Sequence, residues 1–306
     1  MTARRKKRLE KNTRKTRKIK IIITLFTVVI ISVSLLLFRD GYWNGVDKLS
    51  LVIQEKSGDI VISTFDPGVE EIVNLKIPAD TQVEVARGLG IWKISAVWEL
   101  SENENLTGYL VTETITRFFK FPVYIWADRP AIGFSDTNPF NIFTAALFPY
   151  NTNLKFSDRI KIALFSLQVK NPDRIDIDLS KTPLLKKTKF IDGSEGFKLT
   201  SNPSYDILSV FSDPGISKEG SVVVINDSSD KIGLAEKVGE IVEVVGAKVV
   251  SIKKEHNNNV DCIVKGEDIE TVIKIAYIFS CKTQINEVGE SFDLEITIGS
   301  KFAERY

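Results

Sequence analysis

From residue 21 to residue 38 the chain reads IIITLFTVVIISVSLLLF, 18 positions without a charge, Gly, Pro, Asn or Gln. At 1.5 Å per helical residue such a run is about 27 Å long, close to the roughly 30 Å hydrocarbon core of a bilayer, and Lys20 and Arg39 can snorkel at its edges. It predicts one membrane-spanning helix. A cleavable secretory signal would be shorter and end in a small-x-small site, whereas this run ends in Leu35-Leu36-Leu37-Phe38-Arg39, so an uncleaved anchor is expected. No later stretch is apolar enough to cross again; residues 140–150 come nearest, but they are few and interrupted by Asn141 and Pro149.

After a spacer at residues 40–45 the periodicity changes. Residues 48–53 and 59–64 are β-rich and joined by Glu55-Lys56-Ser57-Gly58, a hairpin connection, and residues 71–77 predict a third strand. Leu106, Leu110, Val111, Ile115 and Phe118 line one face of a helix over 106–119, stopped by Pro122 and followed by a strand at 123–126. Residues 136–140 are turn-rich. A helix over 156–169 is expected to open at Ser157-Asp158. In 174–179, Ile175, Ile177 and Leu179 alternate with Asp176 and Asp178, the pattern of a half-buried strand with its apolar residues inward. Residues 181–220, with Pro183, Pro203, Pro214 and several Gly, suggest an excursion and a linker, with a domain boundary near 215–220.

The last 90 residues are the most regular. Strands at 221–225, 248–253, 260–264 and 292–298 alternate with helices at 233–245 and 269–279, the first helix closed by Gly246. This β-α-β-β-α-β order predicts a two-layer domain, one sheet covered on one face by two helices. The fold class expected for the whole is mixed α/β: an N-terminal transmembrane helix (21–38), an α/β domain (46–214) and the small C-terminal domain (220–306). No repeat of solenoid length occurs.

Composition adds a polarity. Of 306 residues 43% are hydrophobic and 26% charged, enough for one or two ordinary cores. Residues 1–20 hold 11 Lys or Arg and one acid, Glu10, while residues 21–306 hold 30 basic and 39 acidic side chains, a net of −9. The block Arg4-Arg5-Lys6-Lys7-Arg8 could serve as a nucleic-acid arm, but a basic flank on a single apolar span is what the positive-inside rule predicts. Residues 1–20 are therefore expected in the cytoplasm, the rest outside the plasma membrane, and no nucleic-acid partner is expected. Cys262 and Cys281 have no neighbouring His or third Cys for a metal, leaving a disulfide or two buried thiols as equal choices. The single His256 stands in a polar turn, expected at the loop surface, which argues against Ser-His-Asp or Cys-His catalysis. Trp92, Trp98 and Trp126 are candidates for stacking on sugars, with core packing the better expectation for at least two.

Four segments together carry a resemblance: Val222-Val223-Val224-Ile225-Asn226-Asp227-Ser228-Ser229, then Gly233-Leu234-Ala235, then Gly246-Ala247-Lys248-Val249-Val250, then Ile296-Thr297-Ile298-Gly299-Ser300-Lys301-Phe302. In order and spacing they are similar to the LytR C-terminal domain, with Asp227-Ser228 where that family has Gly-Thr. Upstream, Lys76-Ile77-Pro78-Ala79-Asp80-Thr81 resembles the Ser-Ile-Pro-Arg-Asp-Thr motif of the LytR-CpsA-Psr family, and Lys93-Ile94-Ser95-Ala96 its Lys-Ile/Leu-Asn-Ala. The resemblance implies an extracytoplasmic enzyme that moves glycopolymer from a polyprenyl-pyrophosphate carrier to the cell wall, with arginines on the pyrophosphate and carboxylates on a divalent cation. It makes the glycosylation-like Asn105-Leu106-Thr107 and Asn226-Asp227-Ser228 chance matches.

This chain departs where that chemistry lies. Ala79 stands in place of the motif arginine, and the later arginine set is missing, Asp158-Arg159-x-Lys161 being a faint echo. Losing one charge-assisted contact costs about 1.5–3 kcal/mol, so losing several should abolish turnover. The expected function is a non-catalytic, cell-envelope protein without a cofactor, binding wall glycopolymer, peptidoglycan or an envelope protein. The alternative is a divergent Mg2+-dependent phosphotransferase with Asp47, Asp80, Arg87, Lys93 and Arg159 as its charged residues and Asp47 and Asp80 as metal ligands. An unrelated adhesion or secretion subunit is a third reading.

Overall fold

The computed structural model of the chain describes residues 20–29, 31–32, 41–190, 193–256, 258–289 and 291–306. Residues 20–29 and 31–32 are helical. Residues 1–19 of the basic segment and residues 30 and 33–38 of the expected span lie outside the described residues, and no described helix is long and apolar enough to cross a membrane.

The first module is built on an antiparallel meander, β1 (Leu49–Gln54), β2 (Ile60–Asp66) and β3 (Glu71–Ile77). A small hairpin follows, β4 (Gln82–Glu84) and β5 (Ile91–Lys93), then helices α1 (Ile94–Asn103) and α2 (Tyr109–Phe119). Strand β6 (Ile125–Ala127), helices α3 (Pro139–Leu147) and α4 (Phe156–Gln168) and strand β7 (Arg174–Asp178) complete it. The expected three strands thus belong to a five-stranded sheet in the order β6-β1-β2-β3-β7, both outer strands parallel to their neighbours. Both faces are covered. Leu49, Leu51 and Ile53 point to the layer that holds Ile142 and Ala145 of α3 and Ile162 of α4. Val52, Ile60 and Ile62 face Val97 of α1 and Ile115 and Phe119 of α2. All seven residues of β2 are buried, as a central strand between two helical layers requires. Gly108, just before α2, is fixed by packing: a Cβ there would come within 2.2 Å of the Trp126 ring.

Several expectations change. Helix α4 starts at Phe156 as expected, but Ser157-Asp158 is not its cap: Lys155 holds the N-cap position, and Asp158 acts from inside the first turn, accepting the Lys155 amide at 3.2 Å. Ile175 does not point inward; it is 40% exposed because β7 is an edge strand. The turn-rich stretch at 136–140 runs directly into α3, started by the Asn138 side chain accepting the Phe140 amide. The excursion at 181–220 contains a hairpin, β8 (Leu185–Lys189) with β9 (Glu195–Leu199), and two short helices, α5 (Tyr205–Ser209) and α6 (Pro214–Glu219). The core changes hands between Phe211, packed in the first module, and Ile216, packed in the second.

The second module contains β10 (Val222–Ser228), α7 (Leu234–Val245), β11 (Lys248–Lys254), β12 (Cys262–Gly266), α8 (Ile269–Phe279), β13 (Lys282–Ile285), β14 (Leu294–Gly299) and a terminal α9 (Ser300–Arg305). The strand order is β11-β10-β14-β12-β13. Strand β13, four exposed residues at the edge, was not expected; α8 is the crossover that makes it parallel to β12. Val223, Ile225, Val264, Ile296 and Ile298 face α7 and α8 in one core. Gly246 ends α7 at φ 117°, and a Cβ there would meet Ser217 Oγ at 2.1 Å, so the residue permits both the left-handed turn and the approach of α6. Cys262 and Cys281 form a disulfide, settling the choice between bridge and thiols.

Candidate functional site

The five charged residues expected to cooperate are dispersed by the topology. Strands β1 and β3 both run antiparallel to β2, with Leu49, Phe65 and Ile72 at one level and Gln54, Ile60 and Ile77 at the other. Asp47 precedes β1 and Asp80 follows β3, so they flank opposite ends of the sheet. Five steps of about 3.3 Å separate the two levels, which puts the two carboxylates on the order of 20 Å apart. A divalent cation bound at about 2.0–2.6 Å cannot touch both. The pair does not fit Mg2+, and among the described residues no group of three or more His, Cys, Asp or Glu is placed to hold a metal.

At the Asp80 end, the loop that resembles the family motif is tied down by its own backbone. Ala79 N–H donates to Asp59 Oδ1 at 2.7 Å, and Phe197 N–H of β9 donates to the Asp80 carbonyl at 3.2 Å. The first amides of α1, where a helix could meet a phosphate, donate instead to the carbonyls of Thr81 (2.8 Å) and Ala79 (3.1 Å). Lys93, at the end of β5, occupies the N-cap position of that helix without a side-chain cap hydrogen bond. One ion-paired cation at this end is Lys76, 2.8 Å from both Glu55 and Asp59, whose carboxylates raise its pKa well above the usual lysine value. Burial pushes the Asp59 carboxyl up, but Lys76 and the Ala79 amide outweigh it and hold Asp59 below its ordinary value. Glu55 and Asp59 escaped the sequence reading because they border a hairpin turn, where acids are common. The signal that could have found them was the lysine directly before Ile77-Pro78.

The other two cations are occupied elsewhere. Arg87 lies at φ 63° and grips Glu113 of α2 through Nε (2.7 Å) and Nη2 (2.8 Å). Arg159, 8% exposed, donates to the Ala145 carbonyl at 2.9 and 3.2 Å and to that of Phe148, and lies over the Tyr150 ring at 4.2 Å. It therefore closes the C-terminal end of α3. Asp158 is also structural: its carboxylate accepts the amides of Tyr42 (3.0 Å) and Trp43 (3.1 Å). Trp98 and Trp126 pack edge to face in the core, Trp92 is 46% exposed, and His256 is on the surface.

Asp47 belongs to a contact between the modules. Lys274 of α8 reaches it at 2.9 Å and also pairs with Asp213, which is itself buried. Asn44 donates to Asp47 at 2.8 Å and to Glu270. Burial pushes the Asp47 carboxyl up, but hydrogen bonds with Glu270 and Lys274 more than reverse this and leave it low. Glu270 moves the other way, raised first by its hydrogen bond with Asp47 and then by burial.

Beside this cluster the modules border an open cleft of about 610 Å³, which no motif had announced. Tyr42, Tyr109, Tyr124 and Tyr277 contribute rings; Tyr42 meets Tyr277 edge to face at 4.9 Å, and Tyr124 stacks on Tyr277 at 5.6 Å. Tyr109 and Tyr277 are each 40% exposed. Asn105, Thr107 and Asn153 add uncharged polar groups. The charges on the wall are paired, Arg87 with Glu113 and Arg305 with Asp261 at 2.8 Å. Aromatic faces beside amides and hydroxyls suit a polyhydroxylated ring, which presents C–H faces to π surfaces and O–H groups to the polar rim.

No protein-family model matches the sequence, and no curated protein does. Among solved structures the chain is similar to B. subtilis TagT (14% identity, TM-score 0.38, 53% of this chain and 88% of that one). It is also similar to B. subtilis TagV (10%, 0.39, 52% and 92%). A third match is the LytR-CPS2A-psr family protein YwtF (TagT) with bound octaprenyl pyrophosphate lipid (15%, 0.37, 53% and 88%). Similarity of this size carries no argument about activity, which has to be taken from the residues themselves. The solved structures that this chain is similar to are LytR-CpsA-Psr family proteins, matched over about half of its length.

Proposed function

We propose that this is a single-pass plasma-membrane protein, anchored through residues 21–38 with residues 1–20 cytoplasmic, that binds wall glycopolymer between its two external modules without transferring it. The observation that carries this reading is the intermodule cleft, rich in tyrosine and with its charges already paired. The state of the residues expected for phosphotransfer supports the non-catalytic half: Ala79 lacks the motif guanidinium, Arg87 and Arg159 are spent on Glu113 and on backbone carbonyls, and Asp47 is engaged by Lys274. A pyrophosphate in transfer needs converging cations or a metal to neutralise developing charge.

The test is binding of the full chain in nanodiscs to purified wall glycopolymer. Tyr277→Ala and Tyr109→Ala are each expected to weaken it about tenfold, the loss of one aromatic contact of roughly 1.4 kcal/mol, and chelation of divalent cations should change nothing. Equal binding by both variants would sink the cleft assignment. A Mg2+-dependent rise in melting temperature with a polyprenyl pyrophosphate, lost in Asp80→Ala, would favour the phosphotransferase instead. Retention by peptidoglycan or an envelope protein, with none by the glycopolymer, would reassign the ligand.

A further inference from the structure

Helices α3 and α4 pack on each other through Arg159 and the carbonyls of Ala145 and Phe148, yet each leaves an apolar row facing solvent. On α3 the row is Phe140 (69% exposed), Phe143 (58%) and Leu147 (41%), continued by Phe148 (59%). On α4 it is Phe156 (41%), Leu164 (50%) and Leu167 (54%). These spacings of three, four and eight place each set on one helical face. Exposed aromatics in such number mark an interaction surface.

Two further observations select the partner. Residues 137–172 contain a single acid, Asp158, which is fully buried, against Lys155, Arg159, Lys161 and Lys170. On an external part that is otherwise acidic, this stretch is apolar, cationic and without an exposed carboxylate. The second is its place in the chain. The amides of Tyr42 and Trp43 are pinned to Asp158 in the first turn of α4, and Lys155 lies 5.4 Å from the Tyr42 ring centre. Two residues, Arg39 and Asp40, lie between Phe38, the last apolar position of the run, and Gly41, and the three steps span at most about 11 Å. The start of α4, with Phe156 and Lys155, is therefore tethered beside the point where the anchor would leave the bilayer, within reach of a headgroup region some 5–8 Å thick.

We infer that the exposed face of α3 and α4 is a membrane-contacting surface, its phenylalanines entering the interface of an anionic bilayer and Lys155 and Lys170 meeting lipid phosphates. This rests on residues 21–38 being the anchor. An apolar face with basic flanks is the arrangement that binds such an interface. It fixes the tilt of the external part, whereas a single flexible tether would leave it free.

The experiment uses the full chain in nanodiscs of phosphatidylglycerol and brominated phosphatidylcholine, with wild-type fluorescence subtracted. Val29→Trp reports the anchor, Phe143→Trp and Phe148→Trp the proposed surface, and Ile232→Trp, at a 91% exposed site on the second module, the control. Bromine quenching at positions 143 and 148 is expected to exceed that at 232 by about twofold or more, as for side chains buried in the interface. Quenching at 29 with none above control at 143 and 148 overturns the surface and leaves the anchor standing. Quenching at 143 and 148 without 29 upholds the surface and removes the anchor. Unquenched, blue-shifted emission at 143 with two chains per disc would assign the face to a second copy and also overturn the proposal.

Discussion

Arg159 shows how a charge becomes architecture. Its guanidinium is buried against the last carbonyls of α3 and a tyrosine ring, and Arg159→Ala would remove its charge-assisted bonds to both, leaving the Ala145 carbonyl to the Tyr150 hydroxyl alone. We expect a loss of about 2–3 kcal/mol of stability, measured by thermal unfolding, with glycopolymer binding per folded molecule unchanged. A drop in binding without a drop in stability would contradict the structural role. At this scale the sequence was a partial guide. The replacement of the motif arginine by Ala79 could be seen directly, since it is an identity at a position. The partners of Arg87, Arg159 and Asp47 could not, because Glu113, the α3 carbonyls and Lys274 are brought to them by tertiary packing across separations of up to 227 residues.

Among the elements, those with a clean period were legible: β3 and both amphipathic helices of the second module stand where their patterns placed them. Helix α3 was missed because its apolar residues fall on both sides, Ile142 and Ala146 inward and Phe143 and Leu147 outward, which blurs the helical period. The hairpin of β8 and β9 was hidden by lysines at exposed positions. Strand β13 has no buried residue to reveal it; it is held by its ladder to β12 and by the adjoining disulfide. That bridge joins residues 19 positions apart, spanning the whole of α8. Closing a loop of this size is worth roughly 3 kcal/mol, so reduction should lower the melting temperature of the second module by several degrees, checked by unfolding with and without dithiothreitol. An unchanged transition would show the core holding α8 unaided.

For the whole molecule, the modules meet through Lys274 with Asp47 and Asp213, Lys120 with Glu240 at 2.9 Å, and the tyrosines of the cleft. Asp47, held low, contributes stability above the ordinary aspartate range that is lost as pH falls through its folded value. Glu270, held high, contributes stability below the ordinary glutamate range that is lost as pH rises through its folded value. Once pH exceeds that raised value, the ionised Glu270 therefore works against the contact. Glu270→Gln should raise the melting temperature at pH 7 by about 1–2 °C and flatten its decline above that range. An unaltered pH profile would refute the linkage of Glu270 to Asp47.

The cleft has a consequence for anyone trimming the chain. One wall, Tyr42, stands before β1 and another, Arg305, lies in α9, so segments far apart in the chain are bricks of the same chamber. A fragment that starts beyond Trp43 would lose the Tyr42 ring and the Asp158 clasp, one trimmed before Arg305 the guanidinium, and each would look inert toward sugars however well it folded.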